Sequence, residues 1–250
     1  AYFMRFFQAA FLLVVSFFLS SCGCEPKGKV VRIGIDPEWY PISFGAQQSF
    51  VNGYTEELLL EAARYTGIDF EKYSANWDSL LEGLKKKKYD AVLSSLPPYN
   101  FNQAQFDFSE NFLQLGPVLI VPIGSSRNDL NKMGGELVGV LTGDPAVLVL
   151  NQHPDIILRN YASIPELLDS IANGEVEGGL LNQIPATAYV QDLYSNKLKI
   201  VDGPLTEAGL HLVSLKDKNH HLIQQFNKAI AQMEKKKKLQ SLQQKWHLSN

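Results

Sequence analysis

Val30-Val31-Arg32-Ile33-Gly34-Ile35 is a short run of β-branched and apolar residues carrying a single charge. It reads as a buried strand. Ala91-Val92-Leu93 has the same character, and two helices lie between the pair. The first covers residues 56–65: Thr55 stands as its N-cap, acids fill its first turn, and Gly67 stops it. The second starts at Asp78 as cap, turns Leu80, Leu81 and Leu84 inward, and ends in Lys85-Lys86-Lys87-Lys88. Cations suit the negative end of a helix, so this lysine run is a solvated terminus before it is a lipid or nucleic-acid patch. The same holds for Lys235 to Lys238.

The alternation resumes after Leu119-Ile120-Val121-Pro122. Leu137-Val138-Gly139-Val140-Leu141 is a strand, and Ser163-Ile164-Pro165-Glu166 is a capping box opening the helix of Leu167, Leu168 and Ile171. Gly179-Leu180-Leu181 is a further strand. Leu210-His211-Leu212-Val213 precedes a long helix carrying Leu222, Ile223, Phe226, Ile230 and Met233. Strands alternating with helices predict an α/β fold with largely parallel sheets.

The N-terminus supplies an address. Arg5 precedes an apolar run from Phe6 to Phe18, and Leu19-Ser20-Ser21-Cys22 follows it. A basic start, a short apolar stretch and small residues before a cut describe a secretory signal peptide, here residues 1–21, with Met4 as the expected start. Leucine, two serines and a cysteine resemble the bacterial lipobox, in which the cysteine, here Cys22, is acylated before cleavage. A retained membrane helix is the alternative, because the run approaches the length of a span. Residues 22–29 then form a linker.

The exported part, about 225 residues long, is enough for one large domain or two small ones, each with its own core. Of 23 basic and 26 acidic residues only Arg5 falls in the leader, so the balance is mildly acidic, and no nucleic-acid partner is expected. The two cysteines are Cys22 and Cys24, which leaves the folded part without disulfide or thiol chemistry. The five histidines, His153, His211, His220, His221 and His247, show no metal-ligand spacing, and neither a phosphate loop nor a nucleophile motif is present. No metal, no cofactor and no catalysis are expected.

The order of elements resembles the family 3 extracellular solute-binding proteins, the amino-acid receptors of ABC importers. The resemblance runs from about Val30 to Trp246 and is carried by short pieces. They are Ile33-Gly34-Ile35-Asp36 with Pro41 and Phe44, Gly53-Tyr54, Trp77-Asp78-Ser79-Leu80-Leu81 with Leu84, and Tyr89-Asp90-Ala91-Val92. Phe106-Asp107-Phe108-Ser109, Leu137-Val138-Gly139-Val140 with Gly143, Gly174-Glu175-Val176-Glu177 and Lys245-Trp246 complete them. The resemblance implies a two-lobed periplasmic-binding-protein fold of type II with a two-strand hinge. Residues 30–119 with 210–250 would form lobe 1 and residues 120–209 lobe 2. The hinge strands would lie near Leu119-Ile120-Val121 and Glu207-Ala208-Gly209. A monomer would close on a solute and dock on an ABC permease, anchored by its lipid at the periplasmic or cell-surface side of a membrane.

By the same resemblance Trp39 and Trp77 stand where the family clasps its ligand between aromatic rings. Asp36, Ser95 and Asn102 would reach it from lobe 1, and Asp144 and Asn182 from lobe 2. The charged anchors depart from the pattern. The family's carboxylate-binding arginine is replaced by Asn102, a ligand-binding threonine by Pro97, and its ammonium-binding aspartate by Asn182. Losing both charges would cost a free amino acid several kcal/mol, since a buried hydrogen bond to a charged group contributes ~1.5–3 kcal/mol. Substitute contacts such as Tyr99 and Arg127 are one way out; a solute without a free carboxylate is the other. Asp36, Glu38 and Asp144 would suit a cation, although Asp144 followed by Pro145 also fits a helix cap. A surface lipoprotein or sensor with a degenerate cleft, and a cleft enzyme resembling periplasmic dehydratases, remain as alternative readings.

Overall fold

The computed structural model of the chain describes residues 28–249. The leader, the lipobox with Cys22, and Cys24 lie outside the described residues. Strand β1 (Lys29–Ile35) leads through a loop into helix α1 (Gln48–Thr66). This helix begins well before Thr55, because Val51 and Tyr54 extend its buried stripe by one more turn pair. Thr55 is therefore interior, its hydroxyl donating to the Val51 carbonyl at 2.9 Å, while Gly67 ends the helix as expected at φ 67°. Strand β2 (Ile68–Ser74) pairs parallel with β1 along the sheet edge; only Ile68 of its residues is fully buried, so it carries no apolar signature. Helix α2 (Trp77–Lys85) is capped by Asn76, whose side chain accepts from the Ser79 N–H at 3.0 Å. Asp78 sits in its first turn instead of at the cap, where its charge faces the positive helix end.

Strand β3 (Ala91–Ser94) is wholly buried, and α3 (Asn100–Gln103), β4 (Phe106–Phe108) and β5 (Leu113–Gln114) follow it. The chain then leaves for a second sheet. Strands β6 (Pro117–Pro122) and β7 (Leu137–Leu141) come first there, then the short helix α4 (Val147–Leu150) and β8 (Ile157–Tyr161). Helix α5 (Ile164–Ala172) opens at the expected capping box: the Ser163 hydroxyl accepts from the Glu166 N–H at 3.3 Å, and Glu166 in turn accepts from the Ala162 N–H. Strand β9 (Gly178–Asn182), helix α6 (Gln183–Gln191) and β10 (Leu198–Asp202) complete this half. Strand β11 (Gly209–Leu215) returns to the first sheet, and α7 (His220–Lys235) and α8 (Lys238–Lys245) finish the chain.

The first sheet has the order β2-β1-β3-β11-β4, with β5 also on β11; the second has the order β10-β6-β9-β7-β8. The β1, β2 and β3 strands run parallel, as do β7, β8 and β9, while β11 and β6 each run antiparallel to their neighbours. Alternation sorts side chains to two faces. Ile33, Leu93 and Leu212 pack against α1 and α7 with Leu58, Phe226 and Ile230, while Val92 and Val213 meet α2 through Leu80 and Leu84. In the second sheet Val118 and Ile120 face α5, while Leu119 and Val121 meet Leu130 and Val149 on the other side.

Leu119-Ile120-Val121, the expected first hinge strand, lies inside β6. The passage between sheets is at residues 115–116, and it runs beside the return passage at 203–208. The Leu115 N–H donates to Ala208 O and the Leu205 N–H to Pro117 O, each at 2.8 Å. The lysine-rich ends are surface features: Lys236 covers the Tyr65 ring at 5.0 Å and Lys245 pairs with Glu57 at 2.7 Å.

Candidate functional site: a cavity between the two sheets

Strand ends of both sheets converge on a cavity of about 400 Å³. Ligands in open α/β sheets sit at such carboxyl ends. From the first lobe, β3 runs out at Ser94, whose hydroxyl accepts from the Leu96 N–H at 3.0 Å and turns Ser95 toward the cavity. Ser95 is 8% exposed and its hydroxyl has no partner. Asn102, on α3, folds back to donate its amide to the Pro97 carbonyl at 2.8 Å. Trp77, the first residue of α2, forms one wall, with the Tyr40 ring 5.9 Å from it. Tyr99 and Phe101, themselves 5.7 Å apart, form another.

From the second lobe, Gly143 takes φ 79° after β7, a conformation that costs glycine nothing, and swings Asp144 inward. One carboxylate oxygen of Asp144 accepts from the Ala146 N–H at 2.8 Å; the other is buried without a partner. Burial pushes this carboxyl above its ordinary range, opposed by the Ala146 N–H. Asn182 ends β9, where its side-chain oxygen caps α6 through the Ile184 N–H at 3.0 Å. Its amide donates to Leu115 O at 2.8 Å, tying the second lobe to the passage segment.

Trp77, Ser95, Asn102, Asp144 and Asn182 are thus brought together around one cavity. Asp36 and Trp39 are not, and the expectation for them is corrected. Asp36 folds one oxygen onto the Glu38 N–H at 3.0 Å, which caps the turn after β1. Trp39 takes φ 57° and turns its ring into the lobe-1 core with Phe44 and Val51, at 2% exposure. Its indole N–H donates to Asn52 at 2.6 Å, so the ring is both packed and satisfied. Arg127 is no substitute anchor either: it bonds Lys132 O and Glu136 and does not line the cavity.

Sequence reasoning missed Pro41, Ile42, Leu148 and Val149 as lining. The first two follow Trp39 directly, and an aromatic was the louder signal. Leu148 and Val149 belong to the single turn of α4, too short to show a period. A more open depression of about 490 Å³ lies by Asn111, Gln114 and α8, lined by the first lobe and Glu207. Among the described residues there is no cluster of three or more His, Cys, Asp or Glu able to hold a metal, and no helix long and apolar enough to cross a membrane.

Residues 31–249 match the bacterial extracellular solute-binding proteins, family 3. The chain belongs to that family. This solute-binding protein is 26% identical over 243 residues to the arginine-binding extracellular protein ArtP of Bacillus subtilis, covering 93% of each chain. It is 24% identical over 217 residues to the L-cystine-binding protein TcyJ of Escherichia coli, covering 86% of this chain and 81% of that one. Its fold matches the L-cystine solute receptor of Neisseria gonorrhoeae in its unliganded open conformation with a TM-score of 0.70, at 22% identity, over 88% of this chain and 93% of that one. The fold is therefore the type II two-lobed binding-protein fold, mixed α/β with helices on two sheets. The family and these relatives are solute-binding proteins and not enzymes.

Proposed function

We propose that this solute-binding protein is the receptor of an ABC importer, held at the periplasmic or cell-surface side of a membrane by a lipid on Cys22, and that it binds an amino acid or a related small polar or cationic solute. The observation that carries this reading is the cavity itself. Its volume of about 400 Å³ suits a solute of that size, and residues from both lobes line it, so closing the lobes would bury the solute. Trp77 and Tyr99 supply rings, Ser95 and Asp144 supply polar atoms without partners, and the relatives named above bind arginine and cystine. The lobes would divide close to residues 30–119 with 210–250 and 120–209, the paired passages serving as hinge. The anchor rests on the lipobox-like Leu19-Ser20-Ser21-Cys22.

Thermal unfolding against free amino acids, short peptides and amines tests this. A ligand specific for the native state at 100 times its dissociation constant adds ~2.7 kcal/mol, a visible rise in the transition. A second reading, a surface lipoprotein or sensor with a degenerate cleft, draws on Asn102 and Asn182, each of which has one amide hydrogen committed to a protein carbonyl. Silence across the whole panel favours that reading. Labelling with a radioactive fatty acid, lost on Cys22→Ala, tests the anchor.

A further inference from the structure

The proposed receptor site has an unusual balance of charge. Among the described residues lining the cavity there is no lysine, arginine or histidine, and Asp144 is the only carboxylate. Asp144 is 7% exposed, with one oxygen buried and unpartnered. A carboxylate in that state is costly unless something positive meets it. Several lining positions also lack a backbone donor. Pro41, Pro97, Pro117 and Pro145 all line the space and have no N–H to offer. Asn102 and Asn182 have each committed an amide hydrogen to a backbone carbonyl. The remaining walls are mostly aromatic and aliphatic, with the neutral polar Ser95, Gln152 and Thr206 among them, and aromatic faces attract cations.

We infer that the solute carries a positive charge and lacks a free carboxylate, its cation meeting the free oxygen of Asp144 while its body lies against Trp77, Tyr99 and Phe101. This rests on the receptor reading and names its substrate class: amines, or amino-acid derivatives whose carboxyl is blocked as an amide or ester. A free carboxylate would enter a site with no cation among its lining residues and with the Asp144 carboxyl already in place. The Ser95 hydroxyl, buried without a partner, is available to an amide or ester carbonyl of such a solute.

The test is calorimetry on the full chain in detergent with matched sets: arginine, arginine amide and agmatine; phenylalanine, phenylalanine amide and phenethylamine; histidine and histamine. At least one amine or amide is expected to bind roughly tenfold or more tighter than its parent amino acid, the loss of one charged contact. Asp144→Asn keeps an acceptor for the Ala146 N–H and should erase that preference while unfolding at the same or a higher temperature than the ligand-free parent. If that variant fails to fold, Asp144→Ser, which also keeps the turn's acceptor, serves in its place. A parent amino acid that binds as tightly as its amine and amide in each set overturns the inference and leaves the receptor standing. Unchanged amine affinity in the Asp144 variants overturns it too. Silence of the wild type to every compound overturns the inference, while the receptor reading is decided by the wider panel of amino acids, peptides and amines.

Discussion

Trp77 and Trp39 show how far a residue's role can be read from type and position. Both were expected at the ligand, and both had the same warrant. The structure separates them through one backbone angle, because φ 57° at Trp39 sends its ring into the core and Asn52 then satisfies the indole. Nothing in the side chain announces that angle, which is why it was not legible. Trp77→Ala should weaken ligand binding by roughly tenfold or more, through lost ring contact, while the chain still unfolds cooperatively. Trp39→Ala should instead cost about 3–5 kcal/mol of stability, read by urea denaturation, as a deleted core aromatic does. Affinity and stability measured side by side on the two variants check that division.

His211 makes a residue-scale prediction about pH. It is buried, its Nδ1 contacts Ser109 O at 2.8 Å, and its Nε2 has no partner. A carbonyl can only accept, so Nδ1 carries a proton, and burial of the unpartnered Nε2 favours the neutral ring. Burial lowers its pKa below the ordinary 6.5, opposed by the Ser109 carbonyl and Glu110. The unfolded chain therefore takes up a proton more readily. The stability from His211 is present above pH 6.5 and lost as pH falls below it, by at most ~1.4 kcal/mol per pH unit. Denaturation at stepped pH should show this slope in the wild type and a flatter one in His211→Asn.

At the scale of elements, the strands that lie in cores were readable from composition and the edge strand was not. β3 is buried along its whole length and so reads as four apolar or small residues, whereas β2 exposes most of its side chains and reads as charged loop. Helix ends were readable where glycine must take a positive φ, as at Gly67, and misplaced where two cap residues compete. Asn76 and Asp78 are both good caps, and only the structure shows that Asn76 receives the Ser79 N–H. Asn76→Ala should cost about 1 kcal/mol, and Asp78→Ala less, since Asp78 contributes only through the helix dipole. A second element-scale test concerns Gly53 on α1, where any Cβ would collide with the Trp246 ring. Gly53→Ala should destabilise by about 1–3 kcal/mol despite its better helix propensity, because the ring must move.

At the scale of the molecule, the two lobes touch beyond the passages. Ile184 of α6 is buried in the cluster that holds Phe44, Trp39 and Leu115, and Gly45 lies against Ile164 and Tyr189 across the cleft. These apolar contacts hold the two lobes against each other without a solute. Ile184→Ser should therefore open the ligand-free protein, raising its radius of gyration in solution scattering and weakening ligand several-fold. The alternation of strands and helices made the α/β class legible, and the two-lobed plan came only through the family resemblance that their order carries. The lobe contacts were not legible, since Ile184 reads as an ordinary helix residue.

The placement of β11 has a consequence for how the chain is made. It lies between β3 and β4 in the middle of the first sheet, although it is the last strand synthesised. The second sheet draws on one unbroken stretch, residues 117–202, and can complete itself while the chain is still emerging. The N-terminal half must meanwhile wait with the edge of β3 unpaired, its closing partner more than a hundred residues behind. Synthesis delivers the amino terminus first, so the lobe that arrives earliest is finished last, and that open edge is where a folding helper or a misplaced strand would find its purchase.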